Sequence, residues 1–434
     1  MATLKTAWVH LWGDRVGAVA WDPEREVGAF EYDPDFLRSG LEIAPLQMPL
    51  AESAPGAVYE FPTLNRETFF GLPGLLADTL PDKFGNAIID AWLSRQGRDA
   101  RSFTPVERLC YAGRRGMGAL EFSPPENHRL DAAVPVEIAK LVVLAQDVMA
   151  ARLALDTEIE DELERADALL DILRVGTSAG GARPKAVVAM NDDGYVLSGQ
   201  GDAPPGYDYW LLKFDGVADL ELGKTEGYGR IEYAYYRMAL SAGIEMTECR
   251  LLEESGRAHF MTRRFDREGG DKVHMTSLCG VAHHDFNRPG VYGYEQAFTV
   301  MRRLRLPKSQ AVQLYRRMLF NVVARNLDDH TKNIAFLMGR DGVWRLAPAF
   351  DVIYAHNPKG RWTNQHQMTI AGKRDGFTRA ELVAVGESIG LRRPAEILDE
   401  VIQVVGRWAD YAEEAGVDGA RIGAIAAEHR LDIT

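Results

Sequence analysis

The stretch from Asn326 to Asp351, NLDDHTKNIAFLMGRDGVWRLAPAFD, constrains this chain more than any other. It sets two carboxylates and an amide at defined spacing: Asp328, Asn333 and Asp351. Between the last two, Ile334 to Met338 and Val343 to Leu346 are apolar runs separated by Gly339-Arg340-Asp341-Gly342, a strand–turn–strand pattern. A hairpin there returns the chain to its starting point and brings Asn333 and Asp351 to one end. Phosphoryl transfer uses such a set: one Asp orients the attacking hydroxyl and accepts its proton. An Asn five residues later holds one Mg2+, and a later Asp holds the other. Asp-x-x-x-x-Asn alone arises often by chance, but the hairpin and the third group make the pattern more selective.

The rest of the chain supplies matching parts. Ala7–Trp12, Val16–Trp21 and Val27–Tyr32 read as a β-meander, and Thr79–Gln96 as an amphipathic helix. GRRGMGALEF (113–122) is a glycine-dense turn entering a strand. No helix with Lys-Ser/Thr follows, which excludes a Walker A loop and favours a tight turn packed on a neighbouring sheet. Residues 123–135 read as a linker, and Val136–Leu173 as two helices, the second acidic on a solvated face. In VGTSAGGARPKAVVAM (175–190) small residues precede Lys185 and an apolar strand. Such a loop either cradles phosphates with its backbone N–H groups or is simply a flexible hairpin.

Tyr209–Phe214 (YWLLKF) carries Lys213 in an apolar strand, where an amine needs an anionic partner unless it sits at an exposed strand end. Nucleotide phosphates are one candidate partner, and Glu232 on the next helix (Ile231–Ala242) is another. Ala258–Phe265 reads as a strand entering a connector. Beyond it, Tyr294–Arg305, Lys308–Asn326, Arg379–Ile389, Pro394–Glu413 and Gly419–Arg430 show helical spacing. The expected fold is therefore α+β and bilobal, protein-kinase-like, with a β-rich N-terminal part and an all-α C-terminal lobe.

Composition narrows the partners. The 434 residues suffice for two or three domains, and a formal charge of −13 argues against a surface that tracks a phosphate backbone. Cys110, Cys249 and Cys279 lie too far apart for a metal or disulfide framework and read as buried reduced thiols of a cytoplasmic protein. The start MATLKTAWVHLWGD lacks the pattern of a signal peptide. The longest apolar candidate, residues 141–155, is broken by Asp147 and Arg152 and reads as a core helix rather than a membrane span.

Taken together, SAGGARPK (178–185), WLLKFD (210–215), RRFDR (263–267), NLDDHTKN (326–333) and APAFD (347–351) resemble the HipA-type toxins of bacterial toxin–antitoxin systems. These are serine/threonine protein kinases with a lipid-kinase-like fold. The resemblance implies a β-rich N-terminal subdomain at 1–122, a kinase N-lobe with its glycine-rich loop at 123–265, and a helical C-lobe with the catalytic loop at 266–434. It implies ATP and Mg2+ as cofactors, with Asp328 as catalytic base and Asn333 and Asp351 as metal ligands. Lys213 and Lys185 fall on the nucleotide, Gly180 and Gly181 in the loop over it, Phe265 on the adenine, and Arg263 at the hinge. Ser178 falls where the family autophosphorylates its own loop. The resemblance also implies a helix-turn-helix, HipB-like antitoxin, operator DNA contacted through that antitoxin, and a protein substrate such as an aminoacyl-tRNA synthetase.

The departures from the family pattern bear on particular roles. Asp329 stands where many relatives have Gly and is expected to add negative charge beside the catalytic loop. Arg183-Pro184 stiffens the loop's exit, Arg263 replaces an acidic hinge residue, and Thr177 is a second hydroxyl beside Ser178. His330 reads as an orienting residue, since the base role belongs to Asp328. Lys332 is either a γ-phosphate contact or an exposed lysine. His283-His284-Asp285 lacks a third metal ligand at sensible spacing. Arg263, Arg264 and Arg267 read most simply as lobe-junction pairing, with DNA contact as the weaker option. Two rival functions remain at this level: a small-molecule phosphotransferase on a related scaffold, and a non-catalytic co-repressor partner of a helix-turn-helix antitoxin.

Overall fold

Alternation of apolar and polar residues along the first 32 positions builds three antiparallel strands, β1 (Thr6–Leu11), β2 (Asp14–Asp22) and β3 (Val27–Tyr32). β1 buries Ala7, Val9 and Leu11 and turns Thr6 and Trp8 outward. With β4 (Val58–Tyr59) and β5 (Leu120–Ser123) they form a five-stranded sheet in the order β4-β3-β2-β1-β5. In this computed structural model the described residues are 4–81, 83–95, 97–125, 132–151, 176, 183–217 and 226–434.

The chain divides into two compact units. The first comprises Met1–Glu42, Met48–Gly229 and Arg250–Met275, and the second Ile43–Gln47, Arg230–Cys249 and Thr276–Thr434. The first unit carries both five-stranded sheets. Its second sheet has the order β7-β6-β8-β10-β9, from β6 (Lys185–Asn191), β7 (Val196–Ser198), β8 (Tyr207–Lys213), β9 (Cys249–Glu254) and β10 (Arg257–Arg263). The helices Lys83–Arg95 and Ile138–Ala151 pack on this sheet through Phe84, Ile88, Leu141 and Ala145, against Val188, Trp210 and Leu212. The first helix starts at Lys83 rather than Thr79, after a separate short helix, Gly74–Ala77. Of the helical expectation over 136–173, residues 152–173 lie outside the described residues.

The glycine-dense turn before β5 behaves as its composition suggests. Gly118 has φ +77°, and a Cβ there would lie 3.0 Å from the Met275 backbone nitrogen. Its N–H donates to Asp266 Oδ2 at 2.7 Å. Burial alone would raise the Asp266 carboxyl, but Arg264 and Arg267 hold it well below the usual carboxylate range. Two of the three arginines of the RRFDR stretch are therefore internal partners of a buried acid. The third, Arg263, is exposed and pairs with Asp208.

The second unit is mainly helical, with long helices at Tyr294–Arg303, Lys308–Val323, Arg379–Ser388 and Pro394–Val405. The expected single helix from Pro394 to Glu413 is two helices, broken at Gly406-Arg407 before Trp408–Glu414. Glycine is the poorest helix former after proline, and here it marks the break. The predicted hairpin is present as strands Ala335–Met338 and Trp344–Leu346, with Phe336 opposite Leu346 and Met338 opposite Trp344. At its turn the Gly342 N–H donates to Gly339 O at 3.0 Å, and Asp341 Oδ1 accepts from Val343 N. All four residues of the first strand are buried. Cys110, Cys249 and Cys279 are buried free thiols, and no helix among the described residues is long and apolar enough to cross a membrane.

Candidate active site

The catalytic-loop candidate begins where the helix Lys308–Val323 ends. Arg325 adopts φ +59°, and beyond a single bridge at Asn326 the chain runs without regular structure through Asp329. Backbone hydrogen bonds Leu327 N to Ala355 O and Ala355 N to Arg325 O, both 3.1 Å, lace this loop to the segment after Asp351. Asn326 strengthens the lacing: its Nδ2 donates to Asn321 Oδ1 at 3.0 Å and to the Asp351 carbonyl at 3.5 Å. Asn333 lies in a short 3-10 turn, Thr331–Asn333, and its Nδ2 donates to the Asp328 carbonyl at 2.7 Å. Spending the amide nitrogen this way leaves the Asn333 oxygen as the free end of the side chain, suited to a hard cation.

Asp351 follows the hairpin and holds φ +53°. A non-glycine residue in the left-handed region costs about 1–2 kcal/mol and persists only where its surroundings enforce it, often at functional sites. Arg317 contributes to that enforcement. Fully buried in its helix, it donates Nη2 to Ala347 O at 2.7 Å, four residues before Asp351. Burial pushes its pKa down to about 10, against the opposing pull of Glu245, so it stays charged at neutral pH. A cavity of about 30 Å3 lies among Tyr294, Arg317, Asn326, Asp329, Asn333 and Asp351. Asn333 and Asp351 line this cavity, and Asp328 is tied to it through the bond from Asn333 to its carbonyl.

Within that loop, neighbouring aspartates face opposite ways. The Asp328 side chain is 48% exposed, whereas that of Asp329 is 1% exposed. The negative charge expected at Asp329 is therefore held inside the fold: the side chain is buried and bonded to Tyr294, His366 and Gln367. His330 Nε2 stands 3.9 Å from Asp328 Oδ1, close enough to bias its orientation but too far for a hydrogen bond. Phe286 supports both basic residues of the loop, with the His330 ring 5.5 Å away and the Lys332 ammonium 5.0 Å over its face. Thr331 Oγ1 donates to His284 O at 2.6 Å.

The His283-His284 pair is occupied otherwise than by a metal. The His284 ring stacks on Tyr292 at 4.4 Å. Burial pushes both imidazoles down to about 4, the nearby His284 adding to the shift at His283. Among the described residues no cluster of three or more His, Cys, Asp or Glu is arranged to hold a metal. The Asn333–Asp351 donor set is of a different kind, one amide oxygen and one carboxylate. It fits Mg2+, which is commonly held by one or two protein oxygens with water and phosphates completing the shell.

In the first unit, two of the expected nucleotide-side residues, Lys185 and Lys213, meet at one end of the second sheet, while Arg263 lies three pairs further along β10, opposite Trp210. Lys185 of β6 pairs directly with Lys213 of β8, and Lys213 pairs with Phe260 of β10. Lys185 is 3% exposed, and the Lys213 ammonium lies 5.7 Å over the Phe260 ring. Directly opposed residues in an antiparallel pair project to the same face, so the two lysines stand side by side. Phe265 is half-buried in the turn following β10. Thr177, Ser178, Gly180 and Gly181 lie outside the described residues.

The residues that sequence reasoning missed are Tyr294, Arg317, Asn321 and His366. None belongs to a local motif, because each meets the loop only through tertiary contact. Asn326, at the head of the quoted motif, was visible but given no role.

A mixed α+β chain, with an aspartate loop laced to an asparagine and a second aspartate, has the layout of a phosphotransferase-type site. Residues 7–123 match the HipA N-terminal domain, and residues 177–409 match the HipA-like C-terminal domain. The chain belongs to the HipA family. It is 23% identical over 446 residues to the putative kinase Y4mE of Sinorhizobium fredii (strain NBRC 101917 / NGR234), covering 95% of this chain and 94% of that protein. Its fold is similar to that of HipA in the Shewanella oneidensis MR-1 complex of HipA, HipB and operator DNA. There the TM-score is 0.61 at 17% identity, over 97% of this chain and 94% of that one.

Proposed function

We propose that this chain is an ATP- and Mg2+-dependent serine/threonine protein kinase, acting as the toxin of a bacterial toxin–antitoxin pair. One observation carries the reading: Asp328 stands half-exposed on a loop hydrogen-bonded to both Asn333 and the Asp351 backbone. In this reading Asp328 accepts the proton of the attacking hydroxyl, and catalysis comes mainly from positioning and charge compensation. Asn333 and Asp351 hold Mg2+, which when bound neutralises charge on the phosphates. His330 orients Asp328, and Lys332 lies near the transferring group. Lys185 and Lys213 bind the phosphates. Phe265 packs on the adenine, and the backbone at Arg263 supplies hinge contacts. Gly180 and Gly181 cover the nucleotide, while Ser178, or Thr177 beside it, is the self-modified hydroxyl. The three-part division at residues 122 and 265 and the bilobal arrangement belong to the same reading.

The family and the fold shared with an antitoxin- and operator-bound HipA support a helix-turn-helix antitoxin as partner, with DNA contacted through it. The acceptor is then a protein hydroxyl, an aminoacyl-tRNA synthetase being one candidate class. The test is transfer from radiolabelled Mg-ATP to the chain itself. Label in the wild type that Asp328→Asn abolishes supports the reading. A wild type from unphosphorylated stock that neither binds Mg-ATP nor acquires label overturns it.

A further inference from the structure

Asp329 is the most highly bonded side chain of the catalytic loop, and the proposed chemistry gives it nothing to do. Its Oδ2 accepts from Tyr294 Oη at 3.0 Å and from His366 Nδ1 at 2.8 Å, and its Oδ1 accepts from the Gln367 N–H at 2.7 Å. All of these groups are buried, His366 at 0%, Tyr294 at 1% and Asp329 at 3% exposure. A carboxylate removed from water is costly unless its lone pairs are satisfied, and these three donors satisfy them.

The donors come from two different parts of the second unit. Tyr294 opens the helix Tyr294–Arg303, and its hydroxyl also accepts from Asn321 Nδ2 at 3.0 Å. Asn321 in turn accepts from Asn326, whose amide reaches the Asp351 carbonyl. His366 and Gln367 lie on a segment that pairs with Gly290–Tyr294: Tyr294 N donates to Thr369 O at 3.0 Å, and Gly290 N to Gln367 O at 2.8 Å. One buried charge therefore ties the loop, a helix start and a distant strand-like segment together. Its hydrogen-bond chain ends on the backbone of the second metal-ligand candidate.

We propose that Asp329 and His366 are positioning residues for phosphoryl transfer. They fix the backbone on which Asp328 projects and, through Tyr294, Asn321 and Asn326, the backbone of Asp351. The inference rests on the kinase reading. Asp329 does not touch the reacting atoms. It holds its neighbour, since rotation of residue 329 out of its pocket would swing Asp328 with it. Ionised Asp329 requires the Nδ1 proton on His366, so the pair also selects the imidazole tautomer. The specific prediction concerns which ring nitrogen matters. Asparagine at 366 can place an N–H near the Nδ1 position, whereas glutamine places it near Nε2.

The experiment uses the full chain, with Mg-ATP as probe, reading single-turnover label transfer to the chain, Mg-ATP affinity by calorimetry, and the melting temperature. Asp329→Asn should slow transfer by about 10- to 100-fold, the range for loss of a supporting hydrogen-bond partner, with Mg-ATP affinity held within about threefold. His366→Asn should retain transfer within about threefold of wild type, while His366→Gln falls to the level of Asp329→Asn. Tyr294→Phe, which removes one of three bonds, should fall between them. A merely structural role would lower the melting temperature of both His366 variants together without separating their rates. Equal rates for His366→Asn and His366→Gln in folded protein overturn the inference, as does unchanged transfer in Asp329→Asn; in both cases the kinase reading stands. A wild type that neither binds Mg-ATP nor transfers label removes the kinase reading, and this inference with it. Should Asp329→Asn fail to fold, the pair of His366 variants decides the matter alone.

Discussion

The Asp328 loop and the Lys185–Lys213 pair gather opposite charges in two different ways. In the loop, Asp329 is buried with three donors, and the Asn333 and Asn326 amides tie down the backbone. In the second sheet of the first unit, two lysines are brought face to face by strand register alone. The loop is thus held by hydrogen bonds within the second unit, while the proposed function assigns the two lysines of the first unit to phosphate.

The comparison can be broken at either region. The largest effect belongs to Asp328→Asn, which should reduce label transfer by about 100- to 10,000-fold, the range for losing a positioned proton acceptor, while Mg-ATP binding persists. Calorimetry alongside single-turnover labelling checks both halves of that statement. Next comes Asp351→Asn, expected to weaken Mg2+ and nucleotide binding together, by about 100-fold at fixed ATP. A Mg2+ titration of nucleotide affinity measures it, and an Asp351→Asn protein with normal Mg2+ dependence would contradict the assignment.

At the lysine pair the effect is smaller. Lys185→Met should weaken Mg-ATP binding by about tenfold or more, the value of a charged hydrogen bond. Calorimetry reads it, and unchanged Mg-ATP affinity in folded Lys185→Met would contradict the assignment. The smallest effect is one of pH. Burial depresses His283 and His284 to about 4 from an ordinary 6.5, so the unfolded chain takes up protons first. The stability they contribute is complete above pH 6.5 and is lost as pH falls toward 4. Urea midpoints at pH 7 and pH 5 should decline more steeply in wild type than in a His284→Phe variant, which keeps the stack on Tyr292.

Much of this site was legible because its chemistry sits at short, fixed spacing. The separations from Asp328 to Asn333 and from Asn333 to Asp351, with a hairpin turn marked by two glycines, leave few alternatives. Strands β1 to β3 followed from β-forming residues set between turn signals. That Asp329 is buried while Asp328 beside it is half-exposed was not legible in one dimension. The Asp329 partner His366 lies 37 positions away, and no periodicity links the two. Arg317 and Tyr294 were hidden for the same reason: each reads as an ordinary residue of an amphipathic helix until the fold brings the loop against it. The split of the Pro394–Glu413 helix turns on Gly406, a residue whose cost a helical pattern of apolar spacing does not register.

The central claim is that the Asp328–Asn333–Asp351 set transfers phosphate to a protein hydroxyl. Incubating unphosphorylated wild type and Asp328→Asn with Mg-ATP and mapping the modified residues by mass spectrometry tests it most directly. The account predicts phosphate on Ser178 or Thr177 in the wild type and none in Asp328→Asn. Phosphate at those positions in both proteins, or in neither, would contradict it.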